Sequence, residues 1–296
     1  MTPAPTPTIA SPPFGRRIAG AMADRGPLCV GIDPHPSLLR AWGLGDDADG
    51  LREFSLRVLE AVGPLVAAVK PQAAFFERRG SAGVAVLEEL LARARSLDVL
   101  TIVDAKRGDI GSTMQGYADA YLAAGSPLAG DAVTVSPYLG FWSLAPALDA
   151  AMASGRGVFV LDLTSNPEGA SVQHARDADG VPVAAAIARA AAQANAPELR
   201  RGEPLGSVGL VVGATVGSAP RDLGIDLAGL GGPLLAPGFG AQGAGPAELR
   251  DVFADALPSV LATTSRGVIG AGPDTRALRS ATEQALRDVR SALARR

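Results

Sequence analysis

Eight short apolar runs recur along the chain, and between them lie longer stretches with the periodicity of amphipathic helices. The runs occupy residues 28–32, 65–69, 99–103, 132–135, 158–163, 208–212, 234–236 and 260–262. Two helical stripes, with apolar residues spaced by three and four, are formed by Leu51, Phe54, Val58 and Val62 and by Val84, Leu87, Leu91 and Ala94. Strands that are apolar along their whole length are typical of a parallel sheet buried on both faces.

This alternation predicts an α/β fold, a single-domain (β/α)8 TIM barrel over residues 14–296. An open doubly wound sheet is the alternative, and periodicity alone does not choose between them, although eight strand–helix units favour the closed barrel. Residues 1–13 contain five prolines and lack the pattern of a signal peptide, so we predict a disordered tail there. The fifth and sixth runs are about 50 residues apart, and we place the surplus in polar loops at 171–180 and 196–206.

The stretch after the third run carries the start and stop signals of a helix. Ser112 and Gln115 form the pattern of a capping box, and Gly125 lies where a C-cap is expected. The apolar side of this helix would carry Met114, Tyr117 and Tyr121.

Composition limits the kinds of partner. The formal net charge is −3 and no Lys/Arg run is present, which argues against nucleic acid and favours a small-molecule ligand. The single cysteine, Cys29, and two histidines exclude an intrachain disulfide and a metal site built on cysteine or several histidines, so we predict no metal. The single cysteine also favours a reducing, cytoplasmic setting. Proline and glycine interrupt the uncharged stretches 132–148 and 227–247, so we predict no membrane segment.

Charged residues stand at the ends of several apolar runs, where ordinary buried strands avoid them. Asp33 follows the first run, Lys70 the second, and Asp104 and Lys106 the third. A barrel carries its chemistry at the carboxyl ends of its strands, and side chains two apart on a strand point the same way. These residues should therefore form an alternating Asp–Lys array, whereas Asp109 lies in the following loop and could serve a neighbouring site.

Each of these residues alone has an ordinary structural explanation. Asp33 before a proline fits a turn, Lys70 fits a surface lysine, and residues 104–109 fit a solvated loop that leads into a helix. Because charged residues stand at the carboxyl ends of three neighbouring predicted strands, their combination favours a shared catalytic role.

Two further segments suit a phosphate group. Residues 237–243 form a glycine-rich loop after the seventh run, and Arg266 follows the eighth. Barrels frequently bind phosphate between these two loops, where glycine permits close backbone approach and arginine adds a permanent charge. If residues 267–270 were the eighth strand instead, Arg266 would lie at the wrong end of it.

The motifs taken together resemble the orotidine 5′-phosphate decarboxylase family, in its second, longer bacterial subgroup. They are Asp33-Pro34, Lys70-Pro71-Gln72, Asp104-Ala105-Lys106-Arg107-Gly108-Asp109-Ile110, Thr164-Ser165-Asn166-Pro167 and Pro237-Gly238-Phe239-Gly240-Ala241-Gln242-Gly243. The resemblance implies a lyase without a cofactor that converts orotidine 5′-monophosphate to uridine 5′-monophosphate, the last step of de novo pyrimidine nucleotide synthesis. The chain departs from some members of the family in having no tyrosine in either phosphate loop.

The resemblance also implies a role for each matching residue. Lys106 would donate the proton that replaces the carboxylate, Asp104 would lie beside that carboxylate, and Asp33 and Lys70 would contact the ribose. The remaining contacts would come from Ser165 at the pyrimidine, from Gln242, Gly243 and Arg266 at the phosphate, and from Asp109 and Thr113 of the partner subunit in a homodimer with shared active sites.

The chemistry fits these residue types. Loss of CO2 from C6 of the pyrimidine leaves a carbanion, and without the signature of a cofactor the stabilisation must be electrostatic. A magnesium-dependent lyase that acts on a sugar phosphate shares the Asp-x-Lys-x-x-Asp motif, but Lys70 disfavours a nearby cation. A catalytically silent phosphate-binding barrel is the other alternative, and the complete set of lysines and carboxylates argues against it.

Overall fold

The computed structural model describes residues 12–240 and 243–293, and its frame is one sheet of parallel strands. The strands are β1 (Leu28–Ile32), β2 (Ala68–Pro71), β3 (Ile102–Arg107), β4 (Ala132–Val135), β5 (Gly157–Leu163), β6 (Val208–Val212), β7 (Leu234–Pro237) and β8 (Val260–Thr264). Neighbours follow chain order from β3 to β8, and β8 pairs with β1, which pairs with β2. Parallel bridges from Val69 to Thr101 and from Gln72 to Asp104 join β2 to the β3 segment. The sheet therefore closes into the predicted TIM barrel.

Helices surround the barrel and fill the connections. The α-helices are α1 (Phe14–Arg25), α2 (Pro36–Ala41), α3 (Ala48–Val62), α4 (Ala73–Glu77), α5 (Gly80–Ser96), α6 (Gly111–Leu122), α7 (Ala145–Ser154), α8 (Ala170–Gln173), α9 (Val183–Arg200), α10 (Ala219–Asp222), α11 (Pro246–Phe253), α12 (Arg266–Ile269) and α13 (Thr275–Leu293). Short 3-10 helices occupy Gly63–Leu65, Phe141–Leu144, Pro167–Gly169, Ala228–Leu230 and Ala254–Ser259. In the described part of the chain, no helix is both long enough and apolar enough to cross a membrane.

Strand positions follow the apolar runs, with one systematic shift. β1, β4 and β6 have the predicted bounds, but β2 and β3 begin at Ala68 and Ile102, three residues after the start of their runs. The start of the second run is a 3-10 helix, and Val99 is buried before its strand begins. The shift places Lys70 and Lys106 inside their strands. β8 ends at Thr264, so Arg266 follows it directly, as the phosphate prediction requires.

Two local predictions are wrong. α6 begins at Gly111 with Ile110 as its N-cap, so Ser112 is inside the helix and does not cap it. The helix also ends at Leu122, before Gly125. Its apolar side is as predicted, because Met114 and Tyr121 are buried and Tyr117 packs against the core.

The second polar loop predicted between β5 and β6, at 196–206, is helical in its first five residues. α9 continues to Arg200 with Pro197 inside it. Glu198 is buried and accepts hydrogen bonds from the Ser207 main-chain N–H at 2.6 Å and from its hydroxyl at 3.0 Å. This anchoring of the last turn to the start of β6 keeps the segment helical.

The interior of the barrel has its own apolar cluster, which includes Cys29, Phe159 and Leu235. Burial raises the pKa of the Cys29 thiol to about 12. α1, which the sequence analysis did not identify, contributes Phe14 to this cluster, and Phe14 packs edge-on against Phe159 at 5.9 Å between ring centroids. A Cβ on Gly157, the first residue of β5, would lie 2.1 Å from the Phe14 ring, so α1 packs at the amino end of the barrel. The predicted tail lies outside the described residues up to residue 11, and its disorder stays a prediction.

Candidate active site

Asp104 lies between two lysines at the carboxyl ends of β2 and β3. Lys70 Nζ is 2.7 Å from Asp104 Oδ2, and Lys106 Nζ is 2.5 Å from Asp104 Oδ1. Lys70 and Asp104 are buried, whereas the Lys106 side chain is 44% exposed and can meet a ligand. The predicted placement of Asp104 and Lys106 on the same side of their strand is confirmed.

The charges stabilise each other despite their burial. Burial alone would lower the pKa of Lys70, but the charges of Asp104 and Asp33 outweigh it and raise that pKa above its ordinary value. Burial alone would raise the pKa of Asp104, yet the two lysines hold it well below its usual range. Asp104 is therefore ionised and Lys70 protonated across the physiological pH range.

Asp33 follows β1 and faces the same mouth of the barrel. Its Oδ1 atom is buried and has no hydrogen-bond partner among the described residues. A Cβ on Gly31 would lie 1.9 Å from Ser265 Oγ, so this glycine permits the loop after β8 to approach β1 closely. A buried carboxylate oxygen without a donor is suited to a hydroxyl group of a ligand.

Two cavities adjoin at this end of the barrel and share Lys70 and Pro237. The first, of about 170 Å³, is lined by Asp33, Lys70, Pro237, Gly238, Phe239, Thr263, Thr264, Ser265 and Arg266. The second, of about 190 Å³, is lined by Lys70, Asp104, Lys106, Thr134, Leu161, Leu163, Thr164, Ser165, Val211, Gly213, Leu235 and Pro237. Together they form one cleft, with an arginine at one end and a mixed apolar and hydroxyl surface at the other.

The structure thus brings together six of the predicted site residues, namely Asp33, Lys70, Asp104, Lys106, Ser165 and Arg266. Asp109 and Thr113 line neither cavity; the Asp109 carboxylate accepts the Ile110 main-chain N–H at 2.8 Å. Gly243 lies beside a separate cavity with Asp288. Gln242 lies outside the described residues.

The loop after β3 is held by an aromatic and ionic cluster. The Arg107 guanidinium pairs with Glu77, donates to the Tyr121 hydroxyl at 3.3 Å, and lies 5.7 Å from the ring centroids of both Tyr117 and Tyr121. A Cβ on Gly108 would lie 2.4 Å from the Ser136 carbonyl oxygen, so the loop needs glycine there to pass β4. These contacts fix the chain on the carboxyl side of Lys106.

Sequence reasoning missed Thr134, which lies on β4 beneath the lysines. It is 1% exposed, and its hydroxyl contacts both the Lys106 main chain and the Asp104 carboxylate. The available signal was that Thr134 is the polar residue in the otherwise apolar run 132–135.

Within the described residues, no group of three or more His, Cys, Asp or Glu side chains is placed to hold a metal ion. Asp33 shares the lining of the first cavity with Lys70, whose positive charge disfavours a cation there.

Comparison with known proteins identifies the family. A model of the orotidine 5′-phosphate decarboxylase / HUMPS family matches residues 26–281. The chain belongs to this family. It is 59% identical over 280 residues to the orotidine 5′-phosphate decarboxylase of Salinispora arenicola, an alignment that covers 95% of this chain and 98% of the relative. The enzyme of the same name from Streptomyces coelicolor is 56% identical over 282 residues, with 95% and 98% covered.

Solved structures agree with this assignment. A crystal structure from Streptomyces avermitilis, provisionally named an orotidine 5′-phosphate decarboxylase, matches with a TM-score of 0.92 at 55% identity and covers 99% of this chain and 100% of that one. The Leishmania donovani OMP decarboxylase matches with a TM-score of 0.70 at 30% identity over 93% of this chain and 97% of its own. The resemblance seen in the sequence motifs is confirmed, and the bacterial relatives fit the predicted bacterial subgroup.

Proposed function

We propose that this chain is a carbon–carbon lyase that converts orotidine 5′-monophosphate to uridine 5′-monophosphate, the last step of de novo pyrimidine nucleotide synthesis, with Lys106 as the proton donor. The observation that carries the proposal is the buried Asp104 carboxylate held between Lys70 and Lys106 at the floor of the cleft. Relatives with 56–59% identity over nearly their whole length bear the name of this activity.

The two halves of the cleft match the two ends of the substrate. Arg266, Gly238 and Phe239 line the first cavity, which suits the phosphate. Gln242 and Gly243 remain proposed phosphate contacts on the resemblance in sequence alone. Ser165 and apolar side chains line the second, which suits a flat pyrimidine with polar edges. Lys70 lines both cavities and Asp33 lines the first, which supports the proposal that these two residues contact the ribose between the phosphate and the pyrimidine.

The residues at the floor can carry out the reaction without a cofactor. When the bond between C6 and the carboxylate breaks, the electron pair stays on C6 and CO2 leaves. The Lys106 ammonium stabilises the developing negative charge and then transfers a proton to C6, and it regains a proton from solvent afterwards. Asp104 keeps the ammonium in place, because Lys106 Nζ is 2.5 Å from its Oδ1 atom.

The proposed active form is a homodimer with shared sites in the cytoplasm. The apolar patch that we propose for the dimer contact consists of four exposed side chains on the connections after β3 and β4, namely Ile110, Tyr138, Leu139 and Trp142. Ile110 lies directly between Asp109 and the helix that carries Thr113. A second copy packed on this patch would bury it and bring Asp109 and Thr113 of the partner subunit to the cleft.

Replacement of Lys106 tests the proposal directly. Lys106→Ala should lose at least about a thousandfold in kcat for orotidine 5′-monophosphate, since both the proton donor and a charge on the carbanion disappear. Decarboxylation is followed by absorbance with a chelator present, and binding of uridine 5′-monophosphate by calorimetry controls for folding. A folded variant that binds nucleotide and turns over at the parental rate would refute Lys106 as the donor, and loss of parental activity in chelator would favour the magnesium-dependent alternative.

A further inference from the structure

The pairing of β3 with β4 is interrupted at the catalytic lysine. Val103 is opposite Val133 and Arg107 is opposite Val135, so residues 104–106 face the single residue Thr134. Lys106 takes a positive φ of 48°, a conformation that costs free energy in a residue with a side chain. Irregular pairing of this kind re-aims side chains next to active sites, and here it directs Lys106 Nζ back toward Asp104.

The Thr134 hydroxyl replaces the missing main-chain partner. It accepts the Lys106 main-chain N–H at 3.0 Å and lies 2.8 Å from Asp104 Oδ1. Because the N–H can only donate and the ionised carboxylate can only accept, the hydroxyl proton must point to Asp104. One buried oxygen thus links the strained backbone of Lys106 to the carboxylate that holds its ammonium group.

We infer that Thr134 is a positioning residue for the proposed decarboxylation. Its hydroxyl holds the Lys106 main chain directly, through the N–H. It holds the Lys106 ammonium indirectly, through the Asp104 carboxylate. Asp104 accepts a hydrogen bond from the Lys70 ammonium at Oδ2 and from the Lys106 ammonium and the Thr134 hydroxyl at Oδ1. These three contacts fix the plane of the carboxylate. The inference rests on the proposed function, and it predicts that the hydroxyl, not the bulk of the side chain, sets the catalytic rate.

Matched variants separate the hydroxyl from the shape. Thr134→Val keeps the branched shape and removes the hydroxyl, and its kcat should fall about tenfold to a hundredfold, the loss expected for one hydrogen bond to a charged group. KM should change by less than about threefold, because the phosphate and ribose contacts lie elsewhere in the cleft. Thr134→Ser keeps the hydroxyl and should restore kcat to within about threefold of the parent. Thr134→Ala compared with Thr134→Ser gives the same contrast if the valine variant does not fold.

A control variant separates catalysis from stability. Thr282 is fully buried in α13, and its hydroxyl donates to the Leu278 carbonyl at 2.7 Å. Thr282→Val should lower the melting temperature and leave kcat unchanged. A Thr134→Val variant with the parental kcat, or a Thr134→Ser variant whose kcat is as low as that of Thr134→Val, would overturn the inference while leaving the proposed function intact. If the parent chain itself released no CO2 from orotidine 5′-monophosphate, the proposed function would fail first.

Discussion

The buried environment of Asp162 favours the protonated, neutral form of its carboxyl group. Asp162 lies on β5 at 1% exposure, and neither carboxylate oxygen has a hydrogen-bond partner among the described residues. Burial raises the pKa of Asp162 well above that of an ordinary aspartate. The native state therefore retains a proton that the unfolded chain releases at about pH 3.9.

This retained proton predicts a pH-dependent stability. Since the native state binds more protons than the unfolded state, the contribution of Asp162 is complete below about pH 3.9 and is lost as pH rises through the raised native pKa. Within that window the free energy of unfolding should fall by up to about 1.4 kcal/mol per pH unit. Urea denaturation of the parent and of Asp162→Asn across this range measures it, since asparagine does not titrate. Parallel curves for the two proteins would show that Asp162 is ionised in the native state.

At the scale of strands and loops, the sequence predicted the charged residues at the strand ends but not the register between neighbouring strands. Lys70 and Asp104 stand out in the sequence because apolar strands otherwise exclude charge. In a barrel the carboxyl ends of neighbouring strands meet at one mouth, so the two side chains were expected to lie close together. Thr134 gives only a weak signal, because it is polar in an apolar run but uncharged, and threonine is common in strands. Its role depends on the register between β3 and β4, which arises from pairing across the sheet and not from local periodicity.

The loops after β7 and β8 should act on binding rather than on chemistry. Arg266 begins α12 and is exposed at the rim of the first cavity. Arg266→Ala should raise KM for orotidine 5′-monophosphate about tenfold to a hundredfold, the range for a charged hydrogen bond to phosphate, and lower kcat less. Any turnover of orotidine, which lacks the phosphate, should be the same in the variant and in the parent. Arg279→Ala, on the exposed side of α13, is the matched control; an unchanged KM for Arg266→Ala would place the phosphate elsewhere.

For the whole molecule, the count of strand–helix units favoured a closed barrel over an open sheet, but it did not predict which segments cover the two ends of the barrel. α1 escaped prediction because its apolar residues become a core only against the amino end of the finished barrel, where Phe14 meets Phe159 and Gly157. The other end is open, and the predicted Asp109 and Thr113 do not line the cleft of their own chain. A site completed by a second copy would explain that placement.

Subunit mixing tests this arrangement. Lys106→Ala and Asp109→Ala homodimers should each be nearly inactive, because every site lacks one of the two groups. If Asp109 of the partner subunit completes each site, an exchanged equal mixture contains heterodimers with one site that lacks both groups and one that is intact. Half of the dimers are then heterodimers, so activity should return to about a quarter of the parental rate per subunit. If Asp109 acts within its own chain, every site stays defective and mixing restores nothing; sedimentation before and after exchange verifies that the dimers have formed.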